Sequence, residues 1–240
     1  MIVLVAIFAI VAVAAAVQGV TGFGFALVAM PLLQLVAEPH AAVVGAGLAS
    51  LFLTLWVAVR EREHVRWSAA GLLSTAALVG MPFGLLALRG LSGTWLSLLT
   101  AVAALGCTGL VWLNLRLPPG RSAVIGAGVL VGALSTSTGT SGPPLVAAFR
   151  GMGYEPREFR ATIAGVFGFT GVVSALGFVV TGQVSRAALV LGAVALPASL
   201  IGWWAGNRLF RRIATDRFRR IVLVALVVSC VLAIIRIVVT

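Results

Sequence analysis

Gln18-Gly-Val-Thr-Gly-Phe-Gly-Phe25 interrupts one apolar stretch of the chain, and Ser135-Thr-Ser-Thr-Gly-Thr-Ser-Gly-Pro-Pro144 interrupts another. Setting Gly22 on Gly139 gives an offset of 117 residues, and the same offset sets Glu38-Pro39 on Glu155-Pro156. The two halves therefore share an order of features as well as a composition. Paired, interrupted hydrophobic segments at matching places in two halves are the sequence pattern of a transporter's binding site.

The composition places these interruptions in a membrane. Of 240 residues, 61% are hydrophobic and 10% are charged, against about 25% charged in soluble domains. The net charge of +11 does not point to nucleic acid. All 17 basic residues are arginines, and nearly all lie in the connections between apolar runs, as topology signals do. No nucleic-acid partner is expected; the expected partners are a lipid bilayer and a small anion.

Six apolar runs have the length of ordinary membrane helices: 41–59, 67–88, 94–115, 161–180, 187–206 and 221–239. Four shorter pieces, 2–17 and 26–37, then 123–134 and 143–149, flank the two motifs and read as the arms of half-helix hairpins. The run at 2–17 lacks the positive n-region of a signal peptide and is read as mature protein.

If each hairpin returns to the side it entered from, fourteen arginines share one side: Arg60, Arg62, Arg66, Arg116, Arg121, Arg150, Arg157, Arg160 and the six from Arg208 to Arg220. Only Arg89, Arg186 and Arg236 face the other. If each pair crosses once instead, the bias nearly vanishes, so the positive-inside rule selects the first arrangement. It puts both termini outside. It also gives each half an odd number of crossings, so the halves are inverted relative to each other. The expected fold is an all-α polytopic membrane protein. Residues 1–120 and 121–240 form two inverted-topology repeats of one integrated domain, each a hairpin plus three transmembrane helices.

The motifs carry the expected chemistry. Glycines permit close backbone approach, Thr and Ser supply hydroxyl donors, and each loop leads into a helix whose first amides lack partners and favour an anion. The expected substrate-binding residues are Gln18, Thr21, Gly22, Phe23 and Gly24 from the first loop, and Ser137, Thr138, Gly139, Thr140, Ser141 and Gly142 from the second. Gln18 reads equally well as an ordinary helix-to-helix amide. Gly47, Gly71, Gly165 and Gly168 read as helix-packing residues.

The six acids (Glu38, Glu61, Glu63, Glu155, Glu158 and Asp216) all fall in connections, so no mid-span carboxylate is available for proton coupling. His40 reads as a helix-start residue and His64 as a solvated one. Arg150 and Arg236 read as interfacial, and Cys107 and Cys230 as buried small hydrophobes. No cofactor, metal or catalytic cluster is expected, which argues against a membrane enzyme.

Gln18 to Phe25 with Pro31-Leu32 downstream resembles the first signature of the TauE/SafE family of sulfite exporter-like permeases, and Ser141-Gly-Pro-Pro144 resembles the second. The resemblance covers nearly the whole chain. It implies secondary transport, usually export, of a small sulfur-containing or organic anion such as sulfite, sulfoacetate or another sulfonate across a bacterial inner membrane. An anion channel on the same inverted repeat is the alternative, and the resemblance does not fix the substrate.

Overall fold

In hydrocarbon, every backbone polar group must find its partner within the protein, so apolar runs of this kind become helices. The computed structural model describes residues 1–113, 121–149 and 154–210. All regular structure among them is helical: α1 (Ile2–Thr21), α2 (Phe25–Val36), α3 (Pro39–Arg60), a 3-10 turn (Arg62–His64), α4 (Trp67–Gly90), α5 (Gly93–Trp112), α6 (Arg121–Ser137), α7 (Gly142–Phe149), α8 (Pro156–Val180) and α9 (Arg186–Phe210). Both α3 and α8 begin Glu-Pro, with the proline at the first turn, where its missing N–H costs nothing.

Five of the six expected long runs appear as helices able to cross a membrane, and the sixth, 221–239, lies outside the described residues. The expectation of a short first arm over 2–17 does not hold. Helix α1 continues through Gln18 to Thr21, and its 20 residues extend about 30 Å, the thickness of the hydrocarbon core. Two of its end residues also serve the helix itself. Thr21 returns its hydroxyl to the Val17 carbonyl at 2.9 Å, and Gly19 lets α1 approach the Trp203 carbonyl of α9. Helix α6 likewise runs to Ser137, beyond the expected end at 134. The true interruptions are short: residues 22–24 and 138–141.

Lipid tails are as apolar as leucine, so helix association here depends on close packing through small residues. Gly80 and Gly84 of α4 lie so close to the carbonyls of Val129 and Ala133 of α6 that a methyl group would overlap them. Gly202 and Gly206 of α9 meet the carbonyls of Ala12 and Ala16 of α1 in the same way. The correspondence is residue for residue: the α1–α6 partners differ by 117 and the α4–α9 partners by 122. The same pairing continues one turn on, where Gly19 meets the Trp203 carbonyl and Thr136 donates to the Met81 carbonyl at 3.0 Å.

Each half therefore lends a long helix to the other half's hairpin, and two buried clusters result. One gathers α1, α2, α3 and α9 with α5 and with Leu88 of α4 and Phe178 of α8; the other gathers α6, α7, α8 and α4. Gly165 and Gly168 do pack, against Val65 and Leu55, but Gly71 has nothing within 4 Å and is not a packing residue. Large side chains such as Val79, Phe83, Leu86 and Trp95 stay exposed on the outside of the bundle, as lipid-facing residues do.

One end of the bundle bears on topology. Arg157 at the start of α8 pairs with Glu61 at 2.8 Å, and Glu158 pairs with Arg66. The Arg66 N–H also donates to the Thr162 hydroxyl at 3.0 Å. The connections at 60–66 and 154–160 thus share one end. A single crossing of each hairpin would have put them on opposite faces, so these pairs favour the arrangement that groups the arginines. At the other end, His40 starts α3 as expected, with its ring between Glu38 (2.7 Å) and the Leu91 carbonyl (3.1 Å).

Candidate functional site

Both interruptions use the same local chemistry. Gly22 (φ 82°) and Gly139 (φ 72°) hold the left-handed conformation that only glycine adopts without strain. The Phe23 N–H donates to the Thr21 hydroxyl, and the Thr140 N–H donates to the Thr138 hydroxyl, both at 3.3 Å. These two turns are again 117 residues apart. They commit both threonines to the backbone: Thr21 also contacts the Phe23 carbonyl, and Thr138 meets the Thr140 hydroxyl at 2.7 Å. Gly24 (φ 102°) then caps the start of α2.

The first loop is fixed from outside by Arg160 of α8. Its guanidinium donates to the Gly19 carbonyl at 2.7 Å, in the last turn of α1, where the helix dipole favours a cation. Its stem lies against Gly22, where a Cβ would come within 2.7 Å of Cγ. The second loop is held by Cys107 of α5, a buried thiol whose Sγ donates to the Thr140 carbonyl at 3.4 Å.

The loops also meet each other. Gly139 faces Met30 of α2, and Gly142 faces Phe23. Beside this contact lies a cavity of about 80 Å³, well above the roughly 10–15 Å³ that one water needs by the same measure. Of the expected site residues, Gln18, Gly24, Gly139, Thr140, Ser141 and Gly142 line it. Thr21, Gly22, Phe23, Ser137 and Thr138 do not. Ser137 instead returns its hydroxyl to the Ala133 carbonyl at 2.7 Å, within α6.

Helices α3 and α8 complete the wall with Ser50 and Thr54, and with Thr170 and Ser174. These four were missed in the sequence. Their signal is a pair of polar residues four apart, on one face of each of two otherwise apolar helices. Ser135 and Ser174 lie within 3.3 Å of each other across the gap between α6 and α8. Phe25, Met30, Phe167 and Phe178 supply the apolar part.

Gln18 is the cavity's most exacting group. It is 7% exposed, and its Oε1 finds no hydrogen-bond partner among the described residues. A buried acceptor left so costs about 1–3 kcal/mol unless water or a ligand meets it. The starts of α2 and α7 border the same cavity through Gly24, Phe25, Ser141 and Gly142, and the first amides of a helix have no partner inside it. A small polar molecule entering here meets amide donors at the start of α2 and at Gly142 of α7, whose next two residues, Pro143 and Pro144, have no N–H, together with several hydroxyls and one carboxamide. Arg150 lies outside the described residues. Among those described, no three His, Cys, Asp or Glu side chains lie together as a metal site would require.

Two broken helices bordering a polar cavity inside an apolar bundle belong to a multi-pass membrane transporter rather than an enzyme. The family model for the sulfite exporter TauE/SafE matches residues 7–233, and the chain belongs to that family. It is 30% identical over 201 residues to the "Probable sulfite/organosulfonate exporter TauE" of Cupriavidus necator, covering 80% of this chain and 78% of that protein. It is 32% identical over 175 residues to the "Probable inner membrane transporter protein TsaS" of Comamonas testosteroni, covering 70% of this chain and 72% of that protein. No solved structure matches it.

Proposed function

We propose that the chain is a secondary transporter that exports a small sulfur-containing or organic anion, such as sulfite, sulfoacetate or another sulfonate, across a bacterial inner membrane. The single observation that carries the reading is the meeting of the two interruptions: Gly142 on Phe23 and Gly139 on Met30, beside one cavity that both loops line. The name of the Cupriavidus relative supports the substrate class.

In this account residues 1–120 and 121–240 are inverted repeats with both termini outside. The doubled contacts at offsets of 117 and 122 support that symmetry. Alternating access then consists of one set of helices rocking against the other around a fixed cavity. Binding rests on Gln18, Gly24, Gly139, Thr140, Ser141 and Gly142. Thr21, Gly22, Phe23, Ser137 and Thr138 shape the two loops.

The test is flux of labelled sulfite and of small sulfonates through purified protein in liposomes. Saturable, trans-stimulated flux is the expected result. Unitary currents without trans-stimulation would replace the carrier by an anion channel on the same scaffold.

A further inference from the structure

We propose that the cavity takes its anion only in singly charged form and rejects dianions, so that sulfite crosses as hydrogensulfite and carries its own proton. The inference rests on the transport reading above. It follows from where the ionisable side chains stand.

Helices α1, α2 and α7 contain none, and α5, which packs on α2 and α7, has only the Cys107 thiol, which donates to the Thr140 carbonyl and does not line the cavity. Helix α3 has His40 in its first turn and Arg60 at its end, yet it meets the cavity only between Ala46 and Thr54. Helix α8 has Arg157, Glu158 and Arg160 near its start and meets the cavity from Phe167 onward. Arg121 opens α6, which reaches the cavity at Ser135. Along each of these helices at least six residues, about 9 Å, separate charge from cavity, although the Arg160 side chain reaches back to the Gly19 carbonyl, next to Gln18, and is hydrogen-bonded there. Glu38 and Leu91 hold His40 at one end of the bundle, while Glu61, Arg66, Arg157 and Glu158 pair at the other.

Every described residue that lines the cavity is neutral, so among the described residues an anion there touches dipoles rather than charges. The cost of desolvating an ion rises with the square of its charge, whereas its attraction to fixed dipoles rises only linearly. A second charge loses on that comparison.

Two of the lining hydroxyls point the same way. Thr54 donates to the Ser50 carbonyl and Thr170 to the Val166 carbonyl, each at 2.9 Å, so both have only acceptor capacity left for a ligand. Gln18 Oε1 is a further acceptor without a donor. These acceptors give nothing to a second bare anionic oxygen, whereas the O–H of hydrogensulfite can donate to them; methanesulfonate, which has no O–H, is held by the amide and serine donors of the cavity.

The consequence is proton-linked sulfite movement with no ionisable group among the described residues of the cavity lining. Calorimetry on the full-length protein at constant ionic strength tests it with methanesulfonate, sulfate and sulfite. Methanesulfonate should bind at least about tenfold more tightly than sulfate. Sulfite should tighten as the pH falls from mildly alkaline to mildly acidic, while methanesulfonate stays flat and so controls for protein titration. Sulfate binding as tight as methanesulfonate, or sulfite binding that does not tighten on acidification, overturns the inference and leaves the anion site standing. Absence of binding by all three removes the transport reading beneath it.

Discussion

Phe23, in the interruption of the first half, lies against Gly142, the first residue of α7 in the second half. A Cβ built on Gly142 would stand 3.3 Å from the Phe23 Cβ and 3.4 Å from its ring. The two halves thus touch where both are least regular, and they have room there for a hydrogen but barely for a methyl. Gly142→Ala should be tolerated, with Phe23 shifting by a few tenths of an ångström. Gly142→Leu should cost about 1–3 kcal/mol by overpacking and should remove flux. Thermal denaturation in detergent and liposome flux on both variants check this.

Gly22 is constrained twice, by its positive φ of 82° and by the Arg160 stem 2.7 Å from where its Cβ would be. Gly71 has nothing within 4 Å, and it sits inside α4. Gly22→Ala should destabilise by about 1–3 kcal/mol. Gly71→Ala should be neutral or stabilising by about 0.4–1 kcal/mol. Opposite signs in a melting comparison are the expected outcome, and equal shifts would deny the loop its strained geometry.

The pairs Glu61–Arg157 and Arg66–Glu158 tie the α3–α4 connection to the start of α8. Such exposed pairs contribute only about 0.2–1 kcal/mol each, so their information is topological rather than energetic. A single cysteine at Glu63 should be labelled by an impermeant reagent only after cells are opened, whereas one at Ser92 should be labelled on intact cells. Both positions are exposed. The reverse pattern would turn the molecule over.

Glu38 caps α3, accepting the N–H groups of His40 (3.0 Å) and Ala41 (2.7 Å). Burial alone would raise its pKa, but the Ala41 and His40 amides and the His40 ring together outweigh that and hold it below 4.5. A carboxylate depressed in the folded state contributes stability above its unfolded pKa and loses it as the pH falls through the folded one. Acidification below about pH 4.5 should therefore lower the melting temperature of the wild type more than that of Glu38→Gln. Glu155, the mate of Glu38, makes no side-chain cap on α8.

Much of this was legible in the chain. The offset of 117 foretold the paired turns at Gly22 and Gly139, because a break that needs a left-handed residue leaves a glycine in the sequence. The arginine distribution foretold that 60–66 and 154–160 share an end. The extent of α1 was not legible. Gln18, Gly19 and Thr21 look like loop residues, and only the neighbouring α9 shows why a helix needs a small residue at Gly19. Nor were Ser50, Thr54, Thr170 and Ser174 legible as cavity lining. A hydroxyl that bonds back to its own helix looks the same in a sequence whether it faces lipid, a neighbouring helix or a cavity. Thr21 and Thr138 looked like ligands for the complementary reason: their hydroxyls are consumed by the turns they make.

The most direct measurement of the central claim is sulfonate affinity of the double variant Gln18→Ala/Ser141→Ala beside Thr21→Val, each referred to the wild type. Gln18 and Ser141 line the cavity from opposite halves of the chain, whereas Thr21 only shapes its loop. Two lost polar contacts at about 1 kcal/mol each should weaken binding by about tenfold or more in the double variant. Thr21→Val should lower the melting temperature and leave the affinity of the folded protein within about twofold of the wild type. Unchanged affinity in the double variant would contradict the account, because the anion would then be bound elsewhere than between the two interruptions.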